Sequence, residues 1–222
     1  MWITRQRWET LFFAHFGGPA DVVARALPTP LELDLWKGEA VLSVVPFRMS
    51  RVRFPFCPAL PLISELWEYN LRTYVRWRGR PGVFFFTLES DNPLATWVAR
   101  NFFGLPYRDA QMRAQFLGRE LRFTHRRGNL HSRMRIMAEG GPPADLAFEA
   151  WATERYCLFN PQGGRVDRGD LSHEPWQLER ASLLEWEGNF LSLVPGAESF
   201  RLVSASYSPL LDVQFQPFER NA

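Results

Sequence analysis

Apolar and polar residues alternate along most of this chain, and Gly or Pro interrupts the alternation roughly every ten to fifteen residues. A period of two puts successive side chains on opposite faces of an extended backbone, so the pattern specifies strands joined by turns. The expected fold class is mainly β (α+β). It is a large, mostly antiparallel sheet that curves into a barrel, with two or three covering helices. Expected strands are WETLFFAHF (8–16), two across LELDLWKGEAVLSVVPF (31–47) joined at Lys37-Gly38, and the hairpin EYNLRTYVRW (68–77) with GVFFFTLES (82–90). More are expected at 109–117, 119–127 and 129–138, then near 164–174, 177–186, 200–207 and 209–218.

Helices are expected where the period changes. PADVVARAL (19–27) is short, with Val22, Val23 and Ala26 on one face. NPLATWVARNFF (92–103) carries its own boundaries: Asn92 as cap, Pro93 in the first turn, Gly104 as stop. A third short helix is expected near 145–153. GGPPAD (140–145) and NPQGG (160–164) read as loops, too short to separate domains. The expected organisation is one domain, 1–222.

Composition excludes several function classes. The net charge is +2, so no global field calls for nucleic acid or a membrane. The opening MWITRQRWETLFF lacks the apolar run of a signal peptide, and no segment approaches the ~18 apolar residues of a membrane span. A cytoplasmic protein without a membrane partner is expected. Cys57 and Cys157 show no CxxC spacing and read as reduced, buried thiols. His15, His125, His131 and His173 share no HxH or HExxH spacing, so no metal is expected. His15, within FFAHF, reads as a satisfied core histidine. There is no Walker loop, GxGxxG or GxSxG, so no nucleotide or flavin cofactor is expected. The basic tract RELRFTHRRGNLHSRMR (119–135) sets Arg122, Arg126, Arg133 and Arg135 on one face of a hairpin. A β-ribbon reader of nucleic acid has this form, but the tract lacks interleaved aromatics, and a solvated face is the better reading.

One strand carries candidate chemistry. In EYNLRTYVRW the even positions are Glu68, Asn70, Arg72, Tyr74 and Arg76, and the odd ones are largely apolar. A polar face on an antiparallel strand ordinarily meets solvent. The partner strand VFFFTL (83–88) is apolar on both faces, which argues for cover on both sides. Under that arrangement Glu68 and Arg72 share one face of a semi-enclosed cavity. They are candidates either for mutual pairing or for meeting a charged ligand. Glu154 and Arg155 in TERYCLF read as a structural ion pair, with anion binding by Arg155 the alternative. His173-Glu174 reads as a loop-orienting pair, since Pro175 holds Glu174 extended, with an acid/base pair the alternative.

Taken together, RWETLFFAHF, LPTPLELDLWKGEAVLSVVPFRM, EYNLRTYV, GRPGVFFFTLES, GLPYRDA, TERYCLF and HEPWQL resemble the YqjF-like family of uncharacterised bacterial proteins. That family is in turn distantly similar to the acetoacetate decarboxylase-like superfamily. The resemblance implies a cone-shaped barrel around a closed cavity and an active-site glutamate at Glu68. It puts the nucleophilic lysine's place at Tyr107 and its cationic neighbour's at Arg108. The superfamily's active-site arginine has no firm match, with Arg5 and Arg7 nearest. A phenol forms no imine, arginine is never a neutral amine, and Lys37 is the only lysine. Schiff-base decarboxylation is therefore not expected. The expected function is binding of a small polar or carboxylate-bearing molecule in an aromatic-lined cavity. Glu68 and Tyr107 are catalytic candidates, and Arg72, Tyr74, Arg108, Glu154 and Arg155 are ligand-binding candidates. A non-catalytic sensor or structural protein, and nucleic-acid binding through 119–135, are the alternatives.

Overall fold

A computed structural model describes residues 2–56 and 64–220. The chain begins with β1 (Thr4–Gly18), α1 (Ala20–Ala26), β2 (Glu32–Leu33), β3 (Ala40–Arg53), β4 (Leu66–Trp77) and β5 (Arg80–Ser90). Next come α2 (Pro93–Phe103), β6 (Tyr107–Asp109), β7 (Gln111–Leu117), β8 (Glu120–Arg127), β9 (Leu130–Ala138) and α3 (Leu146–Thr153). The chain continues through β10 (Cys157–Gln162), β11 (Arg165–Ser172), β12 (Glu179–Gly188) and β13 (Arg201–Phe215).

The strands belong to a single 13-stranded sheet among the described residues. Its path runs β1-β3-β4-β5-β10-β11-β13, and β13 pairs back onto β1, so these strands close a ring. A branch continues from β13 through β12, β9 and β8 to β7. The sheet is mixed rather than wholly antiparallel: β5 pairs parallel with both β10 and β6.

Several sequence expectations need correcting. The Lys37-Gly38 turn forms, with Trp36 bridged to Glu39, but β2 pairs with β4 and not with the strand after the turn. Asn160, Pro161 and Gln162 extend β10, and the turn proper is Gly163-Gly164. Pro161 has the look of a strand breaker. It lies toward the strand's end, where among the described residues the only neighbour beside β11 is a single pairing of Leu158 with Val83, so its missing N–H costs the ladder little. The strands expected at 200–207 and 209–218 are one long strand, β13.

α2 starts and stops where its sequence says. Asn92 Oδ1 accepts the Ala95 N–H at 3.1 Å, Pro93 opens the first turn, and Gly104 takes the left-handed conformation at φ 64°. The helix therefore ends just before the short strand that starts at Tyr107.

β4 divides the molecule into two interiors. Its odd face buries Tyr69 and Leu71 against Leu121 and Phe123 of β8 and Met134 and Ile136 of β9. Its even face looks into the ring from Glu68 to Arg72. Two irregularities keep the ring's inner face consistent. Thr10, at φ 52°, lies where the β1–β3 register shifts, so Thr4, Gln6 and Trp8 face inward before it and Leu11 and Phe13 after it. A bulge at Phe86 does the same for β5, turning Val83 and Phe85, then Leu88 and Ser90, inward. This accounts for the run VFFFTL being apolar at nearly every position.

Cys157 is a buried free thiol, and Cys57 lies outside the described residues. His15 is fully buried, with Nδ1 2.7 Å from Ser43 Oγ and Nε2 3.6 Å from Glu149. The basic hairpin forms as expected. On its outer face Arg122 and Arg135 pair with Glu120, and Arg133 lies 3.9 Å from Glu187. No helix among the described residues is long and apolar enough to cross a membrane.

Candidate functional site

The ring strands send side chains into one cavity of about 130 Å³. A single ordered water needs roughly 10–15 Å³, so the space suits a small organic molecule. α2 covers one side with Ala95, Val98 and Ala99. The walls are mostly apolar, including Phe13, Phe47, Val83, Phe85 and Leu105.

The polar stripe of β4 faces this cavity from Glu68 to Arg72, whereas Arg76 at its far end is exposed and pairs with Asp34 at 3.1 Å. Glu68, Asn70 and Arg72 all line the cavity, and Glu68 is only 3% exposed. Glu68 Oε1 accepts from Asn70 Nδ2 at 3.0 Å, and Oε2 accepts from the Tyr107 hydroxyl. Burial raises the Glu68 carboxyl to about 7, against the opposing pull of the Tyr107 and Asn70 hydrogen bonds and the Arg72 charge. Burial, and then the neighbouring Glu68, push the Tyr107 phenol well above its ordinary value, so it stays a proton donor.

The strand after α2 is what carries Tyr107 to Glu68. β6 runs parallel to β5 with Tyr107 opposite Leu88, one strand away from the Glu68–Ser90 pair. The Gly104 carbonyl accepts from Asn160 Nδ2 at 3.0 Å and Gln162 Nε2 at 2.7 Å, which ties the helix end to β10.

Arg72 stands further along the same face. Its guanidinium carbon lies 5.2 Å from the Phe13 ring centre and 5.9 Å from that of Tyr74. Arg72 Nε and Asn70 Oδ1 are buried and have no hydrogen-bond partner in the protein. A cation and an acceptor thus face the cavity with unused capacity, beside a carboxyl that titrates near neutrality.

Other candidates are placed differently. Tyr74 is fully buried beyond the cavity wall, where its hydroxyl lies 2.7 Å from Ser43 Oγ and Trp151 of α3 packs over its ring. Arg108 points outward and is exposed, as strand alternation requires once Tyr107 points in. Glu154 and Arg155 do not pair with each other. Glu154 accepts from Tyr156 and from the Trp176 N–H, whereas Arg155 lines the cavity while bound to Asp34 at 2.6 Å. Neither Arg5 nor Arg7 lines the cavity: Arg7 pairs with Asp212 at 2.8 Å, and Gln6 between them faces inward. Lys37 is 73% exposed beside Asp145, outside the cavity.

Two placements go beyond the sequence reading. His173 lines the cavity, with Nδ1–H donating to the Glu174 carbonyl at 2.6 Å, and burial lowers its pKa. On the opposite face of the β4–β5 hairpin, Glu89 is fully buried. It lies 2.5 Å from His125 Nε2 and 2.8 Å from Arg127. Burial alone would raise this carboxyl, but the His125 and Arg127 hydrogen bonds outweigh it and hold it below the ordinary range. No sequence spacing links residues 89, 125 and 127. No cluster of His, Cys, Asp and Glu able to hold a metal occurs among the described residues.

Comparison with known proteins agrees with this architecture. The chain is 34% identical over 186 residues to the uncharacterized protein YqjF of Bacillus subtilis (strain 168), covering 82% of this chain and 77% of that one. In fold it is similar to acetoacetate decarboxylase from Legionella pneumophila, with a TM-score of 0.73, 16% identity and coverage of 99% of this chain and 87% of that one. It is also similar to the enduracididine biosynthesis enzyme MppR complexed with pyruvate, at a TM-score of 0.65 and 10% identity, over 100% of this chain and 91% of that one. The acetoacetate decarboxylase-like fold expected from the resemblance is thus present. The model of the DUF2071 family, described as an uncharacterized conserved protein, matches residues 5–209, and the chain belongs to that family.

Proposed function

We propose that the ring cavity binds a small organic acid, with Arg72 holding the carboxylate and Glu68 and Tyr107 handling a proton. The observation that carries this reading is the Glu68–Tyr107 hydrogen bond, enclosed in an apolar cavity with an unpartnered Arg72 Nε on the same wall. A guanidinium with a free N–H suits a carboxylate. A carboxyl near 7 is present in both protonation states at neutral pH, which general acid–base catalysis needs. The ligand would dock its anionic end at Arg72 and place an adjacent carbonyl or hydroxyl near Glu68. The pyruvate complex of MppR supports oxo acids as the class to try first.

This chemistry would proceed without an imine. The chain's one lysine is on an exposed turn, and the cavity offers a phenol, a carboxyl and guanidinium groups, none of which condenses with a ketone.

Thermal shift and calorimetry with pyruvate and other small keto and hydroxy acids test the reading. The wild type should be stabilised, and Arg72→Gln should lose most of that effect. If no such acid binds at millimolar concentration, the reading fails. Binding without turnover of any acid would leave a ligand sensor.

A further inference from the structure

Closing β1 onto β13 removes the edges from the ring, but the branch ends at β7, whose far side pairs with nothing among the described residues. β7 is the last strand of its branch, with the sequence Gln-Met-Arg-Ala-Gln-Phe-Leu. An open edge is ordinarily protected by a proline, a bulge or an inward-pointing charge. β7 has no proline, and its pairing with β8 runs unbroken from Gln111–Arg126 to Leu117–Glu120. Its inward side chains, Met112, Ala114 and Phe116, are all apolar. Met112 and Ala114 pack on the main core and stay partly exposed, and Phe116 is 41% exposed beside Trp67.

The ladder shows which backbone groups are unused. Leu117 and Glu120 flank the tight turn at Gly118-Arg119, where Gly118 has φ 60°. Residues flanking such a turn exchange both hydrogen bonds. Alternation then aims the N–H and C=O groups of Leu117, Gln115, Arg113 and Gln111 at β8. Those of Met112, Ala114 and Phe116 aim away from it.

We infer that β7 is a self-pairing edge, and that a second copy of this chain adds its own β7 antiparallel across a two-fold axis through Ala114. In this register Ala114 meets Ala114, and Met112 meets the partner subunit's Phe116. All three residues with outward backbone groups would be hydrogen-bonded. The apolar side chains would continue the core across the axis. On the outer face Arg113 meets the partner subunit's Gln115, so no like charges stand directly opposite. The partner is a copy of this chain because the apolar and backbone patterns match themselves about one centre, and the strand's single charge, Arg113, then meets a neutral side chain, as an isologous interface allows.

Sedimentation velocity of the full chain, from low micromolar to near-millimolar concentration, tests this. The wild type should show a concentration-dependent dimer. Gln115→Arg would set Arg opposite Arg113 twice and should weaken association about tenfold or more. Gln115→Glu would create two symmetric ion pairs and should tighten it roughly threefold to tenfold. Both changes are on an exposed position, so the fold is retained. Contact between residue 115 and Arg122 of the same chain alters monomer stability but not mass. Ala114→Pro deletes an outward N–H, leaves the β8 ladder intact, and should abolish the dimer. A monomer at every concentration, or a dimer indifferent to all three changes, overturns the assignment.

Discussion

Glu68 and Glu89 are on adjacent strands, in the same hairpin, and both are buried, yet they face opposite interiors. Glu68 looks into the ring and meets neutral donors, Tyr107 and Asn70. Glu89 looks into the core between β4–β5 and β8–β9 and meets His125 and the guanidinium of Arg127. Burial opposes ionisation in both. Only at Glu89 do the partners overcome it, so Glu89 is held as a carboxylate and Glu68 sits near 7. Burial alone therefore does not mark a functional acid. Burial with incomplete charge compensation does.

The contrast makes predictions of decreasing size. Glu89→Gln removes one member of a buried charge group and should cost about 3 kcal/mol, toward the lower end for such pairs because Arg127 is 30% exposed. Urea unfolding at neutral pH measures it, and a loss below about 1 kcal/mol would erase the distinction between the two carboxyls. Since the Glu89 carboxyl is depressed, its contribution is present above the ordinary carboxylate range and is lost on acidification.

Glu68→Gln should act in the opposite sense. A carboxyl raised from 4.5 to about 7 favours the folded state below its ordinary value, and this advantage disappears as pH rises through 7. The Gln variant has no such loss, so relative to wild type it should gain roughly 3 kcal/mol between pH 5 and pH 9. Paired denaturation series at the two pH values check this, and a pH-independent difference would contradict it.

Tyr107→Phe removes a donor to Glu68 and should cost about 2 kcal/mol at alkaline pH, where the buried carboxylate needs that bond. It should also move the pH dependence of stability upward. Lys37→Arg should have the smallest effect, within about 0.5 kcal/mol, and borohydride with pyruvate or acetoacetate should trap no adduct. A stable adduct at Lys37 would revive imine chemistry.

Legibility varied by residue for physical reasons. α2 was readable to within a residue, because Asn92, Pro93 and Gly104 act on their own backbone. The hairpin of β4 and β5 was readable from its period, and Glu68 and Arg72 were correctly expected on one face. Tyr74 shares that alternation, but α3 packs over it and takes it out of the cavity. The partner of Arg155 is Asp34, 121 residues away, and no local pattern points to it. Glu89, with His125 and Arg127, was missed for the same reason.

Strand period, turn chemistry and helix caps are local, and the amino-acid order alone settles most of where this chain extends, turns and coils, with the exceptions at residues 160–162 and within β13. It also settles that one face of β4 is polar and that only one side-chain amine exists. Which way that polar face looks is a different matter. It depends on β13 returning to pair with β1, on the irregularities at Thr10 and Phe86, and on α2 and α3 packing against the ring. These are contacts between segments far apart in sequence. Enclosure, which raises the Glu68 carboxyl toward neutrality, exists only once they have formed.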